Sequence, residues 1–111
     1  MDGNSGEFYS IDVGAVEDVP TQSARTVRTA TGDIAIFRTH DNQLFALADQ
    51  CPHKGGALSQ GIVHGHSVTC PLHGLVISLA TGSAAMAEEG CTRRYRVRVE
   101  NGRIMLGIDA A

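Results

Sequence analysis

The chain has no tryptophan, a single lysine and only three cysteines among its 111 residues. Three cysteines cannot build a dense disulfide framework, which excludes a stapled mini-protein of the secreted kind. Nine bases against twelve acids give a net charge of −3, so no field exists that would hold a nucleic-acid backbone. The longest unbroken apolar run, Leu44 to Ala48, is far short of the roughly 18 residues a membrane span requires. The opening residues, Met1 to Glu7, lack the basic-then-apolar pattern of a signal peptide, and the Arg93-Arg94 pair lies far from them. These absences predict a cytoplasmic protein with neither a membrane nor a nucleic-acid partner. In that compartment cysteines serve as metal ligands or catalytic groups more often than as bridges.

What is present is a globular balance, 42% hydrophobic and 19% charged, which rules out wholesale disorder. The length suits one domain over residues 1–111. Strand signals dominate. Tyr95, Val97 and Val99 alternate with Arg96, Arg98 and Glu100, the period of a half-buried strand. Asn101-Gly102 is the dipeptide of a two-residue hairpin turn. That turn sets Val99 opposite Ile104, Val97 opposite Leu106 and Tyr95 opposite Ile108, all apolar on one face. A second hairpin around Asp41-Asn42 joins Ile34–Thr39 to Leu44–Ala48, and Phe8–Val13 and Ala24–Thr29 read as further strands. No window of ten residues carries a capped helical stripe. The expected fold is all-β, a small antiparallel sandwich or barrel.

One stretch interrupts this regularity. Glycine, proline, histidine and cysteine crowd residues 51–82, and a loop-rich insertion of that length in a β-domain points to function. Within it stand Cys51-Pro52-His53 and, after sixteen intervening residues, Cys70-Pro71-Leu72-His73. Each loop offers one thiolate and one imidazole, a set that suits zinc or an iron–sulfur centre. Zinc sites with two cysteines and two histidines usually pair like with like within a loop. Here each loop mixes the types, so two equivalent loops can clamp a binuclear cluster, both cysteines on one iron and both histidines on the other. A colourless structural zinc module is the alternative.

Cys-x-His and Cys-x-x-His at this separation resemble the Rieske 2Fe–2S signature. The likeness extends to Cys51-Pro-His-Lys-Gly-Gly-Ala-Leu-Ser-Gln-Gly-Ile-Val-His64, Val68-Thr-Cys-Pro-Leu-His73, Ser78-Leu-Ala-Thr-Gly82, Glu89-Gly-Cys-Thr92 and Arg96-Val-Arg-Val-Glu-Asn-Gly102. Together these are similar to the small subunit of assimilatory NAD(P)H-dependent nitrite reductase. After His73 that family commonly continues Asn-Trp, where this chain has Gly74-Leu75. The resemblance implies a Rieske-like fold with a cluster-binding subdomain at about 49–82. It implies a 2Fe–2S cluster held by Cys51, His53, Cys70 and His73, and a role in electron transfer during nitrate assimilation. It also implies a large partner carrying FAD, a 4Fe–4S cluster and sirohaem, where nitrite is reduced to ammonium. It places no catalytic residue on this chain. The alternative is a freestanding Rieske ferredoxin passing electrons from a flavoprotein reductase to a ring-hydroxylating dioxygenase.

Rieske proteins of respiratory complexes place a disulfide across positions occupied here by Gly56 and Leu72, and a hydroxyl donor where this chain has Leu75. Fewer hydrogen bonds to sulfur stabilise the reduced cluster less, which predicts a midpoint near the low end of the Rieske range, about −150 mV. Glycines 55, 56 and 74 keep side chains away from the ligands. The remaining polar residues read plainly. His64 and His66 flank Gly65 in a surface hairpin, His40 is a turn residue, and Arg93, Arg94, Arg96 and Arg98 form a solvated strand face. Cys91 reads as a small buried hydrophobe, Lys54 as solvated or partner-facing, and Met86 with Ala84, Ala85 and Ala87 as packing filler.

Overall fold

A computed structural model of the chain describes residues 8–30, 32–50, 56–71, 74–84 and 92–109. Among them are nine strands: β1 (Phe8–Ala15), β2 (Ser23–Thr29), β3 (Gly32–Arg38), β4 (Leu44–Ala48), β5 (Ile62–His64), β6 (Ser67–Thr69), β7 (Val76–Ser78), β8 (Arg94–Glu100) and β9 (Arg103–Asp109). Single 3-10 turns follow β1 at Val16–Asp18 and precede β5 at Leu58–Gln60. The strands form two antiparallel sheets, a large one in the order β1-β9-β8-β4-β3-β2 and a small one in the order β5-β6-β7. No helix among the described residues is long and apolar enough to cross a membrane. The all-β expectation therefore holds.

The two hairpins form where the turn chemistry placed them. Asn101 and Gly102 have φ of 52° and 76°, the two positive values of a type I′ turn, and β8 pairs β9 with Val99 opposite Ile104 and Val97 opposite Leu106. The third expected pair does not form. The ladder ends at Arg96 opposite Gly107, Tyr95 pairs with Ala46 of β4, and Ile108 pairs with Tyr9 of β1. A strand in mid-sheet must share its hydrogen bonds between two neighbours, and β8 turns from one to the other there. Val99 is also not inward-facing in effect, being 50% exposed at the hairpin tip, beyond the reach of the core.

Two apolar clusters explain the layering. Ile34, Ile36, Ala46, Ile104, Leu106 and Val19 pack on one face of the large sheet, with Ile11 and Val13 of β1 and Val27 of β2 against them. Both edge strands thus reach one core, so the sheet curls. Ala35, Phe37 and Leu47 point the opposite way and meet Leu58, Val63, Val68, Cys70, Ile77 and Leu79 around the small sheet. The run Ile34–Phe37 is consequently buried on both faces, as a continuous apolar strand must be when layers cover both its sides.

Candidate metal centre

The loop between β6 and β7 begins at Cys70. Its side chain is buried among apolar neighbours, its N–H donates to the Leu75 carbonyl at 2.7 Å, and its carbonyl accepts from Gly74 N–H at 3.0 Å. Gly74 takes φ of +70°, a left-handed conformation that side chains disfavour, and so lets the turn close. Leu75 packs its side chain toward the core. No hydroxyl is offered from that position, as the sequence indicated.

The other loop is fixed at both ends. On the entry side Asp49 N–H donates to the Asp33 carbonyl at 2.9 Å. The buried Thr92 donates its hydroxyl to the Gln50 carbonyl at 3.1 Å, and its N–H to Gly82 at 2.7 Å. On the exit side Leu58 is fully buried. Gly61 lies so close to β6 that a Cβ would stand 2.3 Å from the Thr69 carbonyl oxygen. Thr69 immediately precedes Cys70, so the stem of the first loop rests on the start of the second. Across the first loop, Asp49 accepts from Ser59 N–H at 2.7 Å on Oδ1 and from the Ser59 hydroxyl at 2.7 Å on Oδ2. Thr26 donates its hydroxyl toward the same Oδ2 at 3.0 Å.

Of the four predicted ligands, Cys70 is described, while Cys51, His53 and His73 lie outside the described residues, as do Lys54, Leu72, Ala85, Met86, Ala87 and Cys91. Among the described residues no three histidine, cysteine or acidic side chains gather into a metal site. The local build nonetheless fits a cluster. One thiol is sunk at the head of a tight turn, glycines bring the two stems together, and the sequence places the remaining thiol and both imidazoles in these same two loops.

The other histidines have different partners. His64 ends β5 with Nε2 2.6 Å from the Thr69 hydroxyl. His66 sits in the β5–β6 turn, its Nε2 at 3.0 and 3.1 Å from the two Asp41 oxygens and its ring 5.5 Å from that of Phe45. This tie fastens the far end of the small sheet to the β3–β4 turn. The Thr39 hydroxyl, then His66, hold the Asp41 carboxyl down to about 2. His40 is an exposed turn residue. The arginines of β8 and its approach are exposed, as expected: Arg93 lies over the Tyr95 ring, Arg94 donates to the Ala80 carbonyl, and Arg98 pairs with Glu100. A hollow of about 190 Å³ lined by Arg96, Val97, Arg98, Met105 and Gly107 lies on this strand pair, not at the loops.

Sequence reasoning missed Asp49, Ser59, Asp41, Gly61 and Thr92. Ser59, Gly61 and Thr92 stand within the runs that carry the resemblance and Asp41 in the expected turn, but their supporting roles go through partners distant in the chain, which no local pattern names.

Comparison with known proteins agrees with this fold. The Rieske [2Fe-2S] domain family matches residues 10–96. The 3-phenylpropionate/cinnamic acid dioxygenase ferredoxin subunit of Photorhabdus laumondii is 35% identical over 98 residues, covering 86% of this chain and 91% of that protein. The ferredoxin in the complex of reduced oxygenase and oxidized ferredoxin of carbazole 1,9a-dioxygenase gives a TM-score of 0.80 at 28% identity, covering 88% and 92% of the two chains. A chain assigned as the small subunit of an NADH-dependent nitrite reductase from Mycobacterium tuberculosis gives 0.86 at 22% identity, covering 95% and 99%, a likeness of fold. The chain belongs to the Rieske [2Fe-2S] domain family, and is an electron-transfer protein whose cofactor is a Rieske-type 2Fe–2S cluster.

Proposed function

We propose that this chain is the electron-transfer small subunit of an NAD(P)H-dependent nitrite reductase, with Cys51 and Cys70 on one iron and His53 and His73 on the other. When bound, the cluster supplies a one-electron couple. Reduction of nitrite to ammonium takes several electrons, so catalysis falls to a large partner carrying FAD, a 4Fe–4S cluster and sirohaem. The work of this chain is to hold two loops in a fixed relation and to keep water from the buried Cys70 side. Leu75, turned to the core, leaves the cluster sulfurs without a hydroxyl donor there, which supports a midpoint of about −150 mV.

The observation that carries the nitrite reductase reading is the Glu89-Gly-Cys-Thr92 segment. It is one of the runs that resemble that subunit, and its Thr92 is buried against the entry to the first loop through Gln50 and Gly82. A second reading, a ferredoxin serving a ring-hydroxylating dioxygenase, is favoured by the 35% identity to the Photorhabdus subunit. Reconstitution separates them. Affinity capture with the tagged holoprotein, followed by stopped-flow mixing of the reduced protein, should recover a sirohaem flavoprotein and show nitrite-dependent reoxidation through it. Reoxidation by a ring-hydroxylating oxygenase, with none through the sirohaem protein, would overturn the proposal in favour of the ferredoxin.

A further inference from the structure

We propose that Asp49 is a positioning residue for the cluster, its carboxylate closing the base of the loop that carries Cys51 and His53 and so setting where those two side chains stand. The inference rests on the reading of Cys51 and His53 as ligands. Asp49 stands two residues before Cys51, and Ser59 stands six after His53. Ser59 offers both its donors, the backbone N–H to Oδ1 and the hydroxyl to Oδ2, each at 2.7 Å. Bonds of that length to a carboxylate are charge-assisted and stronger than those between neutral groups. Thr26 on β2 lies 3.0 Å from Oδ2 and 3.0 Å from the Ser59 hydroxyl, tying the closed base to the large sheet.

This closure is unlike a surface ion pair. Asp49 and Ser59 are both partly buried, and each is held independently: Asp49 through Asp33 of β3, Ser59 through the buried Leu58 beside it. The carboxylate therefore joins two anchored points rather than two mobile side chains. A loop so closed at its base has its reach set there, and the residues held are the ones that must meet Cys70 across a cluster. Truncation at Asp49 would leave the partly buried Ser59 N–H without its acceptor, whereas an asparagine can still accept that N–H on its oxygen.

The test uses the holoprotein. Cluster release is followed as decay of visible absorption in excess iron chelator below the melting temperature, alongside reduced-state EPR and the midpoint potential. Asp49→Ala should speed release about tenfold or more, comparable to the loss of a residue that orients a metal ligand, and should shift the EPR g-values. Asp49→Asn should restore most of the retention and the wild-type g-values. Both variants lose the negative charge and share whatever midpoint shift that loss causes, so cluster retention and the g-values, in which Ala and Asn should differ, carry the test. Should Asp49→Ala fail to fold, Ser59→Ala removes the hydroxyl bond alone and should speed release several-fold. Release within about twofold of wild type in the folded Asp49→Ala protein, or in Ser59→Ala where it stands in, overturns the proposal. If Cys51→Ser keeps the visible spectrum, the ligand reading itself fails. If Cys51→Ser is colourless while Asp49→Ala behaves as wild type, only the positioning role fails.

Discussion

The large and small sheets are built on opposite terms. Strands of the large sheet run to between five and eight residues, whereas each strand of the small sheet has three. Long strands carry enough alternation to specify their own faces, and three-residue strands do not. The small sheet takes its shape from outside itself: from Phe37, Ala35 and Leu47 beneath it, from the close approach of Gly61, and from side-chain ties at its two ends. The difference teaches where a binding site belongs. The large sheet supplies rigidity, and the small one is a platform whose contacts metal ligation would complete.

Four substitutions and one control test this division. Cys70→Ser should have the largest effect, abolishing the visible spectrum and the reduced-state EPR signal while far-UV circular dichroism retains the large sheet. A surviving spectrum would remove Cys70 from the ligand set. Phe37→Ala cuts the layer on which the small sheet rests and should cost about 3–5 kcal/mol in denaturant unfolding, since Phe37 is fully buried. The half-exposed Val99 on the same large sheet offers a control, because Val99→Ala should cost far less. Gly61→Ala forces a Cβ against the Thr69 carbonyl and should cost about 1–3 kcal/mol, with local hydrogen exchange rising in β5 and β6 first. An unchanged exchange pattern would show that the two loop stems are not packed as described.

The smallest effect is expected from Asp41→Asn at the far end of the small sheet. The folded pKa of Asp41 is depressed from 3.8 to about 2 by the Thr39 hydroxyl and then by His66. A depressed carboxyl pKa contributes stability above the unfolded value and loses it as pH falls through the folded one. The melting temperatures of wild type and variant should therefore differ above pH 4 and converge between about pH 4 and 2. The cluster spectrum at neutral pH should not change. Parallel profiles across that range would contradict the tie.

Much of the large sheet was legible because its signals are local. Asn101-Gly102 names its turn, and Val97 and Val99 find Leu106 and Ile104 by counting outward from it. The same count failed at Tyr95, because the choice between β9 and β4 is made by the whole sheet. The burial of Ile34–Phe37 on both faces depends on a layer contributed by residues 58–79, which no local pattern announces. In the candidate site, ligand types and spacing are chemical requirements and stand in the sequence. Their supports are not. Asp49 and Ser59, or Asp41 and His66, are ordinary polar residues until the fold brings them together across 10 and 25 positions.

The central claim is that this small platform holds a binuclear cluster through two cysteines and two histidines. Reduced holoprotein carrying ¹⁵N-labelled histidine should show, by pulsed EPR, hyperfine coupling to two histidine nitrogens, and to one when either His53 or His73 is replaced by cysteine. A cluster spectrum without histidine coupling, or one that keeps both couplings in the His53→Cys and His73→Cys variants, would contradict the account.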